Sequence, residues 1–515
     1  MVRIPSIEEL KEQKDIKGLN QRLSDPNTKI REKSIKALKD LIDEGVYDAS
    51  SLEPLKNTLQ DESSDIKNHA AEMIYKLAQN NVFDRSSLEP LNELLVDEDE
   101  QVRGNAAKAI RGLAEKDIFT TDSIDKLNDN LQDNDKYVKW NAVRTLEVLA
   151  NKGICKKSSL EGLYVVLEDG DDDVKIAGIH TLRAMAEENK IEEDEKIVKL
   201  LKDLLNDSSN GVITNTAMII EKLAKKDIDI SPLIDELNDL LKEVDRETRE
   251  TAASALKRAL NKGVQNSKSV KVLNDMLQER DKERQLFAVQ NIREFSELGV
   301  GTKDSVRPLK ELLKSNDDQL RVESIRTLAS LAKSRVKEKD ILLSLNEVLE
   351  SEDENTIMAC ARSIKELSAR GIYTSKSIGP LVELLNKDSD EIKESAIQAL
   401  DFLIIEGAYD DSIIDPILEE LQDTNDFLKM SVVSVLKHLA EKGHTKEEAI
   451  DPMNEILRSK NGPLKERALL AYSILAEQGI YNEESLELFQ ELTESSNLSI
   501  QKKAHELLSS IEKIE

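Results

Sequence analysis

The stretch Asp97–Ala107 reads DEDEQVRGNAA, and the stretch Asp133–Ala142 reads DNDKYVKWNA. Val102 and Val138 hold the same place in both and are 36 residues apart, so each serves as the anchor of a repeat. Aligning the whole chain on itself finds this anchor fourteen times, with one step, between Val174 and Val212, two residues longer. The anchors are Ile30, Ile66, Val102, Val138, Val174, Val212, Thr248, Arg284, Leu320, Thr356, Ile392, Leu428, Leu464 and Ile500.

A helix start is predicted three residues before every anchor. All fourteen residues there are Asn, Ser or Asp, whose side-chain oxygen accepts from the free N–H groups of a first helical turn. They are Asn27, Ser63, Asp99, Asp135, Asp171, Ser209, Asp245, Asp281, Asp317, Asp353, Ser389, Asn425, Asn461 and Asn497.

The residues after each anchor continue this helix with a buried stripe. Position +4, four residues after the anchor, carries a small residue in every repeat except at Val432, and position +8 carries Leu or Ile in the first eight repeats. Position +15 carries a residue type that tolerates the left-handed conformation of a helix end, with Arg335 as the internal exception. Those residues are Gly45, Asn81, Asp117, Gly153, Asn189, Asp227, Gly263, Gly299, Gly371, Gly407, Gly443 and Gly479.

A second, shorter helix completes each repeat. It is predicted in stretches such as 51–59, SLEPLKNTL, and its first turn often holds proline, where the missing N–H does little harm. One helix pair cannot bury its apolar stripe alone, whereas stacked pairs share a core. We therefore predict an all-α, right-handed α-solenoid of about fourteen two-helix repeats, forming one domain over residues 1–515 with a two-residue insertion near 175–211.

Composition narrows the function classes. The formal net charge is −29, charged residues make up 34% and aromatic residues 3%. A chain of this charge does not adhere as a whole to nucleic acid or anionic membrane, so such a partner would need a local basic surface. Two cysteines, Cys155 and Cys360, indicate a reducing compartment. No apolar signal core or membrane span is evident, and we expect a cytoplasmic protein without membrane contact.

The two quoted stretches resemble the second helix of HEAT repeats, of the HEAT-like type that phycobilin lyases also contain and that is related to armadillo repeats. The resemblance runs along the whole chain. It implies a ladder in which an acidic residue of one turn pairs with a base that follows an anchor. Acids stand at Asp25, Asp61, Asp97, Asp133 and Asp169, and the bases are Arg31, Lys67, Arg103, Lys139, Lys175, Arg249, Arg321, Lys393, Lys429 and Lys465.

In a HEAT-type solenoid the longer helix lines the concave side. On a helical wheel, positions +2, +6, +9 and +13 point away from the buried stripe. Position +13 shows no basic bias, and we call +2, +6 and +9 the inner face. Positions +6 and +9 hold twelve bases against five acids, and +2 adds apolar residues. Exposed apolar area rimmed by charge is typical of protein-binding surfaces. The predicted partner-binding residues are Lys108, Arg111, Trp140, Arg144, Ile176, Arg183, Arg293, Val322, Arg326, Met358, Arg362 and Lys365.

The interpretation is a scaffold or adaptor whose basic, partly apolar inner face binds an acidic extended or helical segment of a partner protein. Two alternatives stay open: the same bases lie on ordinary solvated helix faces, or they hold nucleic acid. The asparagines Asn105, Asn141 and Asn215 are faintly similar to those that hold peptide backbones in armadillo proteins.

The sequence gives little support for chemistry. None of the five histidines has a metal-ligand spacing with a cysteine, and phosphate-loop and nucleophile motifs are missing from the chain. His438 and His444 are interpreted as surface residues. We predict no catalysis, no metal and no cofactor; bilin-lyase chemistry would resemble the same HEAT-like group, but the sequence offers no pocket for it.

Overall fold

The computed structural model describes residues 5–513 except 170, 189, 192–194, 227, 244, 265 and 445, with Asp169 described by its backbone alone. The chain forms two compact units, Met1–Val264 and Gln265–Glu515, called the first and second unit. The prediction of a single domain over all 515 residues stays a prediction.

The first unit contains fifteen α-helices among its described residues. They are α1 Ile7–Glu12, α2 Ile16–Arg22, α3 Thr28–Asp43, α4 Leu52–Thr58, α5 Ser64–Gln79, α6 Leu88–Leu94, α7 Glu100–Glu115, α8 Asp122–Asn130, α9 Lys136–Asn151, α10 Ser159–Asp169, α11 Asp172–Glu187, α12 Glu195–Leu205, α13 Asn210–Lys225, α14 Ile234–Leu240 and α15 Arg246–Asn261.

The second unit continues the alternation of short and long helices over the part of it that is described. Its helices are α16 Ser267–Met276, α17 Lys282–Glu297, α18 Val306–Leu312, α19 Asp318–Lys333, α20 Glu338–Val348, α21 Glu354–Ser368, α22 Ile378–Glu383, α23 Asp390–Ile405, α24 Ile414–Glu419, α25 Asp426–Glu441, α26 Ile450–Arg458, α27 Gly462–Glu477, α28 Glu483–Leu492 and α29 Leu498–Ile511.

Within each unit the helices pack in chain order. Each long helix lies against the next long helix, as α5 against α7 and α19 against α21, and each short helix lies against the long helix that follows it. The small residues at +4 are buried in every repeat, so neighbouring long helices approach closely. No strand occurs among the described residues. The predicted all-α solenoid of helix pairs is confirmed.

All fourteen predicted helix starts are confirmed. The side chain accepts a backbone hydrogen bond in eleven of them; Asp99, for example, accepts from the N–H groups of Gln101 and Val102. The three serines, Ser63, Ser209 and Ser389, occupy the same place without that bond. Helix starts in this chain are therefore set by local sequence.

The predicted left-handed helix ends are also confirmed where they are described. All eight glycines at +15 have positive φ, as do Asn81 and Asp117. Arg335 adopts the same conformation, with φ of 62°, although its side chain disfavours it. Asn189 and Asp227 lie outside the described residues. The long helices α11 and α13 each have 16 residues, so the longer step lies between Glu187 and Asn210.

The acid–base ladder forms in the first unit. Arg31 Nε lies 2.7 Å from Asp61 Oδ2, and Arg103 Nε lies 2.7 Å from Asp133 Oδ2. Lys67–Asp97 and Lys175–Asp207 are the equivalent pairs in other repeats. The side chain of Asp169, expected to pair with Lys139, lies outside the described residues.

The ladder changes in the second unit. Lys393 Nζ pairs mainly with Glu420, at 2.9 Å, rather than with Asp423, at 3.9 Å. Lys429 and Lys465 form no ion pair with a described residue. The ladder is therefore less regular in the second unit than in the first.

Candidate functional site

Three consecutive long helices of the second unit, α17, α19 and α21, form a groove of about 910 Å³. Its lining includes two residues each from positions +2, +6 and +9, and the +9 residues are Arg293 and Ala329. The +2 residues are Val322 and Met358, and the +6 residues are Arg326 and Arg362. Five of the six predicted residues of this unit are thus brought together, and we call this the α17–α21 groove.

Lys365, the sixth predicted residue, lies beside the α17–α21 groove. It lines an adjoining depression of about 280 Å³, which shares Arg362 with the groove. Its ammonium donates a 2.7 Å hydrogen bond to Gln398 Oε1 on α23. Lys365 therefore has a partner inside its own chain.

Two of the predicted cations share one carboxylate. Arg293 Nη1 contacts Glu323 Oε2, and Arg326 Nη1 lies 2.6 Å from Glu323 Oε1. Glu323 is only 9% exposed, whereas the Arg326 side chain is 54% exposed. The helical wheel missed Glu323 because Glu323 stands at +3, which is not one of the inner-face positions. In addition, one of its partners, Arg293, lies on another helix.

Arg362 is the cation of the groove that stays unpaired. It is exposed, and it makes no hydrogen bond or ion pair with any described residue. The groove lining as a whole is mixed in charge, with five acids against four bases. The predicted basic character is therefore wrong for this groove taken as a whole, because Glu323 and the acids beside the scanned positions offset the arginines. The groove does contain the predicted apolar residues at +2, since Val322 and Met358 line it and are half-buried.

In the first unit, three of the predicted residues belong to an aromatic cluster. The Arg111 guanidinium lies between two rings, with Cζ 5.5 Å from the Tyr75 centroid and 5.4 Å from the Trp140 centroid. The Lys108 ammonium lies 4.8 Å from the Tyr75 centroid, and burial lowers its pKa. Cations over aromatic faces are attracted by the ring quadrupole. We call Tyr75, Lys108, Arg111 and Trp140 the aromatic cluster.

Arg111 is 7% exposed, and its Nη1 has no hydrogen-bond partner among the described residues. The expectation that Arg111 lies open on the inner face is wrong, because two neighbouring rings cover it. Trp140 is half-buried, as are Tyr75 and Lys108. The buried Arg111 guanidinium thus packs against the Trp140 ring.

Helical glycines make room for the tyrosines around this cluster. A Cβ atom on Gly104 would come within 2.4 Å of Tyr137 Cδ1, and one on Gly112 within 2.9 Å of Tyr75 Cδ2. Tyr137 donates a 2.7 Å hydrogen bond to Asn105 Oδ1. These glycine–tyrosine contacts could have been predicted from the sequence. The signal is a glycine at +2 or +10 in one repeat and a tyrosine in the neighbouring repeat.

A polar chain crosses three long helices beside the cluster. Glu147 on α9 contacts Arg144 at 2.5 Å and His180 Nδ1 at 3.1 Å. His180 Nε2 in turn lies 2.8 Å from Asn215 Oδ1 on α13. The hydrogen bond with Glu147 raises the pKa of His180, while burial opposes the rise. Arg144 therefore has an acidic partner within its own chain.

Ile176 and Arg183, both on α11, complete the predicted set of the first unit. Both are half-buried. Arg183 lies near enough to His180 to oppose the rise in its pKa.

The asparagines of the armadillo comparison are occupied within the fold. Asn105 donates to Asn68 and accepts from Tyr137. Asn141 and Asn215 each donate to a backbone carbonyl four residues earlier. Asn141 is fully buried, so a peptide backbone cannot reach it. The structure gives these side chains internal roles.

The cysteines and two of the histidines have surroundings that bear on their chemistry. Cys360 is buried, which raises the pKa of its thiol far above the ordinary value, and burial also raises the pKa of Cys155. His438 and His444, interpreted as surface residues, are half-buried; His438 Nδ1 lies 2.6 Å from Asp401, and the His444 ring stacks on Tyr409 with centroids 3.7 Å apart. Among the described residues no group of three His, Cys, Asp or Glu side chains is placed to hold a metal ion. No described helix has the length and apolarity that crossing a membrane requires.

Family comparisons agree with the helix-pair architecture. The HEAT repeats model matches residues 16–111 and 305–401, and the model of the adaptin N terminal region matches residues 85–283. The chain is a HEAT-repeat protein. No curated protein matches it by sequence.

Solved structures of HEAT-type proteins have a similar fold. Kap121p bound to RanGTP is 16% identical with a TM-score of 0.50, and the match covers 98% of this chain and 57% of that one. The karyopherin Kap121p bound to the SUMO protease Ulp1p is 15% identical, with a TM-score of 0.43 and coverage of 97% and 57%. A chain from work on the interaction between cadherin and beta-catenin is 13% identical, with a TM-score of 0.48 and coverage of 96% and 99%. This HEAT-repeat chain thus spans 57% of the Kap121p chains, and at such identities the likeness concerns the fold alone.

Proposed function

We propose that this HEAT-repeat protein is a protein-binding scaffold or adaptor that holds an acidic segment of a partner, extended or helical, in the α17–α21 groove. The observation that carries the proposal is the unpaired, exposed Arg362 beside the apolar Val322 and Met358 in a groove of about 910 Å³. The proposal assigns the protein a binding role without catalysis, metal or cofactor.

The chemistry of the groove favours one kind of partner. Val322 and Met358 offer apolar area to a buried side chain, and methionine adapts its shape to different partners. Arg362 offers a planar guanidinium that binds carboxylates through two parallel hydrogen bonds. A segment that places an Asp or Glu next to an apolar residue satisfies both features.

The half-buried Trp140, backed by Arg111, is a second proposed contact in the first unit. Tryptophan is enriched among the interface residues that contribute most to binding. The Arg111 guanidinium against its ring restricts the indole before binding, which reduces the entropy lost on association. Arg144, Ile176 and Arg183 are the other proposed contacts of the first unit, whereas the buried Arg111 takes no direct part.

Protein binding is also the role described for one protein of the same fold, since Kap121p is described bound to RanGTP. The proposal extends only the general role to this chain. A cytoplasmic location belongs to the proposal as well, supported by the two cysteines in 515 residues.

Selection from a peptide library followed by titration tests the proposal. Peptides enriched on the purified protein should pair an acidic residue with an apolar neighbour. Their affinity should fall by roughly tenfold in Arg362→Glu and in Met358→Asp. The control is Lys502→Glu, because Lys502 is 77% exposed on α29 and outside the groove.

Two outcomes would contradict the proposal. Selected peptides without acidic residues, or peptides equally weakened by Lys502→Glu, would show that Arg362 does not recognise a carboxylate. Tight binding of generic duplex DNA that weakens steeply with salt would favour the nucleic-acid alternative. The pairing of Arg293 and Arg326 with Glu323 argues against that alternative, because it leaves few free cations for phosphates.

A further inference from the structure

Glu323 occupies a place in the repeat that no other acid occupies. It stands at +3 of the ninth repeat. The residues at +3 in the other thirteen repeats are Lys33, His69, Asn105, Asn141, Ala177, Asn215, Thr251, Phe287, Ala359, Ser395, Ser431, Arg467 and Lys503. The repeat architecture therefore does not require a carboxylate at this position, and Glu323 needs a local explanation.

The contacts of Glu323 resemble those of a bound ligand. Its two carboxylate oxygens accept from two guanidinium groups, Arg293 on α17 and Arg326 on α19. The side chain is 11% exposed, so the carboxylate has lost most of its water. Charge-assisted hydrogen bonds of this kind are about twice as strong as neutral ones. The two arginines thus form a carboxylate site that the protein's own side chain fills.

The position of this filled site matters because it lies in the α17–α21 groove. Arg293, Glu323, Arg326 and Arg362 all line the same cavity. A carboxylate that enters the groove meets Arg362 in the free state. At Arg293 and Arg326 it meets guanidinium groups whose charge Glu323 already offsets, and it gains their full charge only by displacing Glu323. Displacing Glu323 leaves a desolvated carboxylate without its partners, which is costly.

We propose that Glu323 acts as a built-in competitor for acidic partners and sets the charge specificity of the groove. It offsets the charge of Arg293 and Arg326 and occupies one nitrogen of each, so the groove favours a segment with one carboxylate at Arg362 and discriminates against densely acidic segments. Specificity through such an unfavourable element is a general strategy of selective interfaces. This inference rests on the proposed function and names the feature that restricts it.

The test compares two variants that each remove one negative charge from the same groove. The probe is a fluorescein-labelled oligoglutamate peptide, titrated against the full-length protein by fluorescence anisotropy. Glu323→Gln should bind it roughly fivefold more tightly than wild type, because both arginines become available. Asp318→Asn is the matched control: Asp318 also lines the groove, but it is 65% exposed and pairs with Arg321. It should change the affinity by less than about twofold.

A second set of variants tests the inference through the arginines, first in the wild-type background and then in the Glu323→Gln background. In otherwise wild-type protein, Arg326→Gln should leave the oligoglutamate affinity nearly unchanged, because Glu323 already occupies Arg326. Arg362→Gln should reduce the affinity. In the Glu323→Gln background, Arg326→Gln should abolish the gain. Thermal unfolding of each variant shows whether the fold is retained.

The outcomes separate the inference from the function beneath it. If wild type binds the probe and Glu323→Gln binds no better, the inference is wrong while the groove keeps its proposed role. Equal gains in Glu323→Gln and Asp318→Asn, or equal losses in Arg326→Gln and Arg362→Gln, would also overturn it, since net charge alone would explain the data. If neither wild type nor Glu323→Gln binds the probe, the inference fails, whereas the proposed function is decided by the peptide selection.

Discussion

Helix starts in this protein differ in whether the first residue caps its helix with its own side chain. Asp99 accepts two backbone hydrogen bonds at the start of α7, at 2.8 Å from Gln101 N and 3.2 Å from Val102 N. Ser63 holds the equivalent place at the start of α5 and makes no such bond. The same position in neighbouring repeats therefore contributes differently to stability.

Replacing these two residues by alanine should reveal that difference. Asp99→Ala should lower the free energy of unfolding by about 1 kcal/mol, because the first turn of α7 loses its acceptor. Ser63→Ala should cost clearly less. The measurement is urea denaturation followed by circular dichroism, with hydrogen exchange of the first-turn amides of α7 and α5 as the local readout. Equal losses in the two variants would contradict the role given to the Asp99 side chain.

Arg335 is the one described residue at position +15 that is neither Gly, Asn nor Asp. Its φ of 62° matches those of Asn81 and Asp117, and glycines take this place in eight other repeats. Its side chain is 65% exposed and has one contact, 3.3 Å from Glu338. The repeat thus imposes the backbone geometry, and the exposed side chain contributes little to stability.

Arg335→Gly should stabilise the protein by about 0.5–1 kcal/mol, because glycine adopts positive φ without steric cost. The gain should appear as a higher urea midpoint. Arg335→Ala provides the control, since it removes the same ion pair and keeps a Cβ atom. A gain of equal size in Arg335→Ala would mean that the contact with Glu338, and not the backbone, causes the effect.

At the scale of elements, His180 joins three long helices through hydrogen bonds to Glu147 and Asn215. The raised pKa of His180 links this junction to pH. A histidine whose folded pKa lies above its unfolded value of 6.5 stabilises the protein fully below pH 6.5, and that contribution is lost as pH rises through the folded pKa. The junction of α9, α11 and α13 should therefore be firmer in mildly acidic solution.

Wild type should lose stability between about pH 6 and pH 8 relative to His180→Gln, since glutamine keeps polar contacts but does not titrate in this range. Urea midpoints of both proteins across this range give the measurement. The difference cancels other titrating groups, including His69, whose pKa burial lowers. Parallel pH profiles for the two proteins would rule out the proposed link.

The elements also show what sequence reasoning can and cannot reach. Helix starts and left-handed ends were predictable because each depends on a residue and its own backbone. The charge of the inner face was not, because a helical wheel treats one helix at a time. Arg293 meets Glu323 across 30 residues of chain, and Arg111 is covered by rings from both neighbouring helices. Such contacts are properties of adjacent repeats taken together.

For the molecule as a whole, net charge and local pairing act in opposite directions. The formal charge of −29 produces repulsion within the folded chain. The ladder pairs partly offset it, and several lie in partly buried positions; the side chains of Arg103 and Asp133 are 19% and 11% exposed. Salt screens the exposed charges more strongly than such pairs.

The melting temperature should therefore rise by a few degrees as salt is added up to about 0.1 M, where the Debye length is about 10 Å. Differential scanning calorimetry at increasing sodium chloride concentrations provides the measurement. Arg103→Gln, which removes a ladder cation, should show a steeper rise because it starts with more uncompensated negative charge. A melting temperature that falls with salt would mean that ion pairs outweigh the net repulsion.

The ladder acids connect each repeat to the next in two ways at once. Asp61 accepts from Arg31 of the repeat before it and from the backbone N–H of Ser63, which starts the helix after it; Asp133 does the same for Arg103 and Asp135. A gene duplication or deletion of one whole repeat would keep such links intact, whereas loss of a single codon would misalign one. Array length is thus the property most open to evolutionary change, and repeat length the most resistant.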